Sequence, residues 1–268
     1  MPIFDAHTHV FPDAIAARVV AEIAGSASVT PSFDGTRTGL EALLKRTGID
    51  GALNCPIATR PEQVPGINAR AIAGNRWPVL SLGTVHQATP EPARVLEELH
   101  AAGVPGIKLH PEYQGFDLDD PRLTPVWAAC VRLGLVVVMH GGEDIAFTPP
   151  CHGSPAAIRD LLAAHPGLKL VAAHFGGWRQ WAGVRQMLLG KPLWLDLSFT
   201  FDYVPDADIV EMIRRHGVAR VLFASDAPWA DPAAVLAAVR RLPLTPAERD
   251  AILWDNAAAL FGLRRIGG

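Results

Sequence analysis

The chain has 268 residues, 49% of them hydrophobic, and a formal net charge of −3. That much apolar material excludes a disordered chain, and a nearly balanced charge with no long block of one sign excludes a nucleic-acid surface or a polybasic membrane patch. The three cysteines, Cys55, Cys130 and Cys151, form no CxxC pair, which argues against a disulfide framework and for a reducing compartment.

Near-continuous apolar runs predict strands over 2–6, 50–54, 78–84, 105–109, 135–139, 168–173, 193–197 and 219–224, as expected of strands covered on both faces. Between them, helices are predicted at 61–74, 91–103, 121–134 and 154–165, several opened by Pro or Ser and closed by Gly. A further helix, 245–254, and the stretch NAAALFGL follow the eighth strand. The polar segment 24–37, GSASVTPSFDGTRT, reads as a loop that either covers a site or merely connects two helices. Eight β/α repeats predict an α/β fold of the (β/α)8 TIM-barrel type, in a single domain over 1–268. Apolar stretches are interrupted well before membrane-spanning length. No leader segment precedes the first strand, so a cytoplasmic protein is expected.

Six of the ten histidines stand at or just past the ends of apolar runs: His7, His9, His86, His110, His140 and His174. Asp226 does the same after the last run. Parallel barrels build their active sites at the C-terminal ends of their strands. His7 and His9 are two apart, so a strand places both on one face. With His140 and Asp226 they make a mixed N/O set suited to Zn²⁺, and also to Fe, Mn or Co. His86 and Glu143 read as lining the site, His110 as a substrate-binding residue or a ligand, and Tyr113 and Gln114, after the fourth strand, as candidates for substrate contact. Trp178 can wall an apolar or aromatic substrate and Arg179 can hold a carboxylate, while Trp181 reads as helix packing. Lys108 reads as a buried charge paired with an interior carboxylate. Cys55 ends the second strand with no base beside it in sequence, so a nucleophilic role is not expected of it. His100, His152, His165 and His216 fall outside the pattern. His165 and His216 sit near helix C-termini, where an imidazole can cap carbonyls and complement the dipole.

The segments DAHTHV (5–10), GIKLHP (106–111), VVVMHGGE (136–143), LVAAHFGG (170–177), LWLDLSF (193–199), FASDAPW (223–229) and DNAAALFG (255–262) together resemble the amidohydrolase superfamily. The likeness is greatest to its branch of aminocarboxymuconate-semialdehyde decarboxylase and the "amidohydrolase 2" proteins. The resemblance implies a TIM barrel and a bound divalent transition metal, Zn²⁺ first. It implies His7, His9, His140 and Asp226 as ligands, and His174 as a catalytic residue or a ligand to a second ion. It also makes Lys108 a candidate for a metal-bridging lysine, although Lys108 falls deeper than the ligand layer. A metal in such a set activates water at neutral pH. Asp226 can then shuttle its proton, and His174 can donate to a substrate oxygen.

The resulting expectation is a metal-dependent hydrolase acting on an amide, lactone or ester of a small molecule. The alternative is a metal-dependent non-oxidative decarboxylase of an aromatic or muconate-like acid. A third class is a metal-free barrel acting as a binding protein. Decarboxylases of this branch are usually longer, so the compact chain leans toward hydrolysis. No nucleic-acid or membrane partner is expected.

Overall fold

The computed structural model describes residues 1–264. In chain order the elements are β1 (Phe4–Thr8), α1 (Asp13–Ala27), α2 (Arg37–Thr47), β2 (Gly51–Asn54), α3 (Val64–Gly74), β3 (Val79–Ser81) and α4 (Pro92–Ala101). There follow β4 (Gly106–Leu109), α5 (Pro111–Gln114), α6 (Thr124–Leu133), β5 (Val136–Met139), α7 (Pro155–Ala164), β6 (Lys169–Ala172), α8 (Trp181–Met187) and β7 (Trp194–Asp196). The last are α9 (Asp206–His216), β8 (Val221–Leu222), α10 (Pro232–Arg241), α11 (Pro246–Asp250) and α12 (Asn256–Phe261). Eight short strands alternate with helices, as the apolar runs predict. β1 extends past its apolar run to Thr8 and so includes His7, while β4 and β5 each begin one residue later than their runs. No helix among the described residues is long and apolar enough to cross a membrane.

The chain divides into two compact units. The first comprises Met1–Asn54, Trp77–Leu80 and Asp196–Gly268. In it β1 pairs in parallel with β2, Phe4 against Gly51 and Asp5 against Ala52. The other edge of β1 is taken by the chain from β8 onward: the Ala6 amide donates to Phe223 O (2.9 Å), Asp226 N to His7 O (2.8 Å) and His9 N to Ala227 O (2.7 Å). This pairing carries Asp226 to the end of β1, beside the two histidines. At the far end of β1, Phe4 packs against Trp77, Trp254 and Phe261 at ring-centroid distances of 6.3, 6.5 and 6.4 Å. Gly51 opens β2 under this cluster, where a Cβ would meet the Trp77 ring at 2.6 Å.

One expectation is corrected here. The segment 24–37 is not loop throughout, because α1 continues to Ala27. Ala24 and Ala27 face the core, and Ser28 closes the helix in a left-handed conformation with its N–H on Ala24 O. Small residues read as loop composition, but here they pack.

The second unit comprises Cys55–Arg76 and Ser81–Leu195. Strands β4, β5 and β6 run parallel and in register, Lys108 opposite Val138 and Val138 opposite Val171, and β7 adds to β6 through Val171 and Trp194. Gly106 permits the close approach of β4 and β5, since a Cβ would stand 2.0 Å from Val136 O. All four residues of both β4 and β5 are buried, as the uniform apolar runs require. Asn68 of α3 exchanges two hydrogen bonds with the Thr84 backbone (3.0 and 2.8 Å), anchoring that helix to the segment after β3.

Candidate active site

In the first unit, His7, His9 and Asp226 offer one ligand atom each within 4.8 Å of one another. His9 Nε2 lies 2.8 Å and His7 Nε2 3.4 Å from the same atom, Asp226 Oδ1. The two-residue spacing of the histidines does what strand geometry requires, although β1 itself ends at Thr8. Asp226 has φ +66°, in the left-handed region that Asp and Asn tolerate better than other non-glycine residues. Sequence reasoning missed two further carboxylates behind these groups. Asp196, fully buried at the end of β7, places Oδ2 3.0 Å from His7 Nδ1 and takes the Ser198 N–H and hydroxyl on Oδ1 (3.1 and 2.5 Å). Asp5, also fully buried, accepts the Ser225 amide and the His7 amide on Oδ1 (2.9 and 3.2 Å) and the Ser225 hydroxyl on Oδ2 (2.5 Å). Burial pushes the Asp5 carboxyl up to about 7 against the opposing hydrogen bonds of Ser225. The signal was present: both carboxylates lie inside the quoted segments DAHTHV and LWLDLSF.

In the second unit, His110, His140 and Asp144 form another three-ligand group within 4.8 Å. The His110 and His140 rings stack at 4.0 Å, His110 Nε2 lies 3.3 Å from Asp144 Oδ2, and His174 Nε2 lies 3.0 Å from His140 Nδ1. His140 Nε2 faces the Glu143 carbonyl at 3.0 Å. Burial, then the neighbouring His110 and His174, hold His140 well below the usual imidazole range. His174 has φ +57°, a conformation that costs about 1–3 kcal/mol and that gathers at functional sites. Asp144, four residues after His140, was not singled out from sequence.

Glu112 fixes the segment that follows. Its Oε1 accepts the backbone N–H of His152 (2.9 Å) and of Gly153 (3.1 Å), and burial raises its carboxyl above the usual range. Burial first, and then Glu112, push the Cys151 thiol up to about 12, while burial alone does the same for Cys130. Neither is an activated thiolate at neutral pH.

Other candidates find their places within the second unit. Gln114 turns its side chain to the backbone. Its amide is spent on the backbone, Oε1 accepting His110 N (2.8 Å) and Nε2 donating to Ala58 O (3.0 Å) and Val85 O (2.8 Å), and it is buried. A buried amide must be satisfied in this way, and sequence alone cannot show it. Tyr113 sets its ring edge-on to His110 at 4.7 Å and to Phe147 at 4.9 Å. His86 accepts the Ala88 amide on Nδ1 at 3.1 Å, closing a turn, and burial lowers its pKa. Trp178 is buried, with the Arg179 guanidinium 4.2 Å from its ring centroid. Glu143 donates its backbone N–H to Trp178 O (3.1 Å). Lys108 is buried within β4. His152 Nδ1 lies 2.7 Å from Asp117 Oδ1. In the first unit, His216 is the buried last residue of α9.

Comparison with known proteins places this geometry in context. The family profile described as Amidohydrolase matches residues 4–263. A curated relative, the 2-amino-3-carboxymuconate-6-semialdehyde decarboxylase of Dictyostelium discoideum, is 29% identical over 129 residues. That match covers 41% of this chain and 35% of the relative, so the chain spans about a third of the curated protein it matches. An uncharacterised TIM-barrel protein from Bordetella bronchiseptica superposes with a TM-score of 0.77 at 18% identity, over 98% of this chain and 100% of the other. The 5-carboxyvanillate decarboxylase of Novosphingobium aromaticivorans, solved with manganese and 4-hydroxy-3-methoxy-5-nitrobenzoic acid, gives 0.74 at 16% identity over 98% and 96%. These structural likenesses establish the fold, the (β/α)8 TIM barrel predicted from eight repeats.

Proposed function

The chain belongs to the amidohydrolase family, and we propose that within it the protein is a metal-dependent, non-oxidative decarboxylase of an aromatic or muconate-like carboxylic acid. The observation that carries the metal dependence is the convergence of His7 Nε2, His9 Nε2 and one oxygen of Asp226 at the end of β1. Two imidazoles and a carboxylate are the donor types that Zn²⁺ and Mn²⁺ accept. The carboxylate behind His7 is the outer support that metal-ligating histidines commonly have. The preference for decarboxylation is supported by the names of the curated relative and of the manganese-containing structural neighbour.

A divalent ion held there supplies positive charge that orients a substrate oxygen and offsets negative charge developing on it. The chain's own residues handle the proton. Decarboxylation places a proton on the carbon that bears the carboxylate. The C–C bond then breaks with its electron pair returning to the ring or chain, and CO₂ leaves. Asp226 is the acid–base group of this reading: protonated from solvent, it gives that proton to the carbon and is left as the carboxylate. Within the second unit, the facing nitrogens of His174 and His140, 3.0 Å apart, can hold one proton between them.

The test is a screen of metal-loaded protein against carboxylated phenols and muconates alongside lactones and cyclic amides. Loss of CO₂ from an acid, stopped by a chelator and restored by Zn²⁺ or Mn²⁺, is the expected result. Chelator-insensitive turnover, or turnover of the lactones and amides alone, would overturn the reading.

A further inference from the structure

We infer that Asp196 is a positioning residue that locks His7 in its Nδ1–H tautomer and thereby sets the metal affinity of the His7, His9 and Asp226 group. The inference rests on the metal reading above. Asp196 has no exposed surface, and each of its oxygens has a hydrogen-bond partner. One oxygen is consumed locally. Oδ1 accepts the Ser198 N–H at 3.1 Å and the Ser198 hydroxyl at 2.5 Å, a two-residue turn at the end of β7 that fixes the carboxylate plane. The other, Oδ2, faces His7 Nδ1 at 3.0 Å. A carboxylate oxygen only accepts, so the imidazole nitrogen facing it carries the hydrogen. The lone pair of the neutral ring is then on Nε2, the atom directed at Asp226 Oδ1 3.4 Å away. His7 is thus presented with its donor atom toward the other two candidate ligands, and Asp196 makes that choice.

The turn also dictates what an amide would do in this place. The Ser198 N–H is a fixed backbone donor and demands an oxygen at the Oδ1 position. In Asp196→Asn the amide oxygen stays on Ser198 and the NH₂ is turned toward His7 Nδ1, which must now accept. The ring hydrogen moves to Nε2, the ligating nitrogen.

The experiment uses metal-free protein labelled with ¹⁵N-histidine and long-range ¹⁵N–¹H spectra, with His7 assigned by its loss in His7→Gln. Zn²⁺ and Mn²⁺ affinities are then measured by chelator competition. Wild-type His7 is expected as Nδ1–H and Asp196→Asn as Nε2–H, with affinity lower by about 10- to 100-fold, the usual effect of losing such an outer-shell partner. An Nε2–H tautomer in the wild type, or an Asp196→Asn protein that binds as tightly as wild type, overturns the inference. The wild-type spectrum decides this even if the variant does not fold. A wild-type protein with the Nδ1–H tautomer but no affinity for either ion instead overturns the metal reading, and with it the role given to Asp196 in affinity.

Discussion

Asp226 carries the most specific residue-level claim, because it joins the candidate ligand set to the proton chemistry. Asparagine at 226 keeps the side-chain shape and tolerates the left-handed backbone, φ +66°, that the position demands. The fold is therefore expected to survive Asp226→Asn, while turnover falls by at least about 10²-fold, the lower end of general acid–base contributions. Thermal melting, metal content and turnover are measured together; near wild-type turnover with metal retained would show that Asp226 is not the acid–base group. His7→Ala and His9→Ala are each expected to lose metal, whereas His216→Ala, at the end of α9, keeps it. Equal metal content in all three proteins would contradict the assignment. The grouping of His7, His9 and Asp226 was legible in the sequence because each closes an apolar run and the two histidines are spaced for one strand face. Asp5 and Asp196 were not, because a buried carboxylate is recognised by its partners, Ser225, Ser198 and His7, and these are distant in sequence or hidden in a turn.

Among the elements, the strands and helices followed apolar periodicity, and the departures have local causes. The last turn of α1 read as loop because Gly25 and Ser26 lower helix propensity, yet the inward faces of Ala24 and Ala27 hold it. The single helix expected over 245–254 is α11 followed by a π turn over Ala251–Asp255, which buries Ile252, Leu253 and Trp254. Trp254 meets Phe4 and Trp77 edge-on at 6.5 and 6.2 Å. Its removal in Trp254→Ala is expected to cost about 3–5 kcal/mol, read as a lower urea midpoint; a midpoint at the wild-type value would mean that this cluster does not support β1. In α11, hydrogen bonds from Arg214 first and then from the Thr245 backbone hold the Glu248 carboxyl down to about 2 from 4.5. The folded value lies below the unfolded one, so this contribution is present above pH 4.5 and is lost as pH falls toward 2. Glu248→Gln is expected to flatten the decline of melting temperature over that window. Parallel acid limbs for the two proteins would show that the pair adds nothing.

For the whole molecule, the sequence carried the fold class further than the chemistry. Eight apolar runs, each closed by a turn and followed by a helix, leave few topologies other than a parallel (β/α)8 arrangement. The reaction was not legible in the same way, because the same ligand types serve hydrolysis and decarboxylation, and function belongs to the site rather than to the fold. Chain length gives no handle on the reaction either, because it does not identify the groups at the site. The most direct measurement is release of ¹³CO₂ from a ¹³C-carboxyl-labelled acid found by screening, in metal-replete wild type and in His9→Ala. Labelled CO₂ in stoichiometric balance with the decarboxylated product, from wild type and not from His9→Ala, is the result expected. Turnover without labelled CO₂, or equal release from both proteins, would contradict a metal-dependent decarboxylase built on His7, His9 and Asp226.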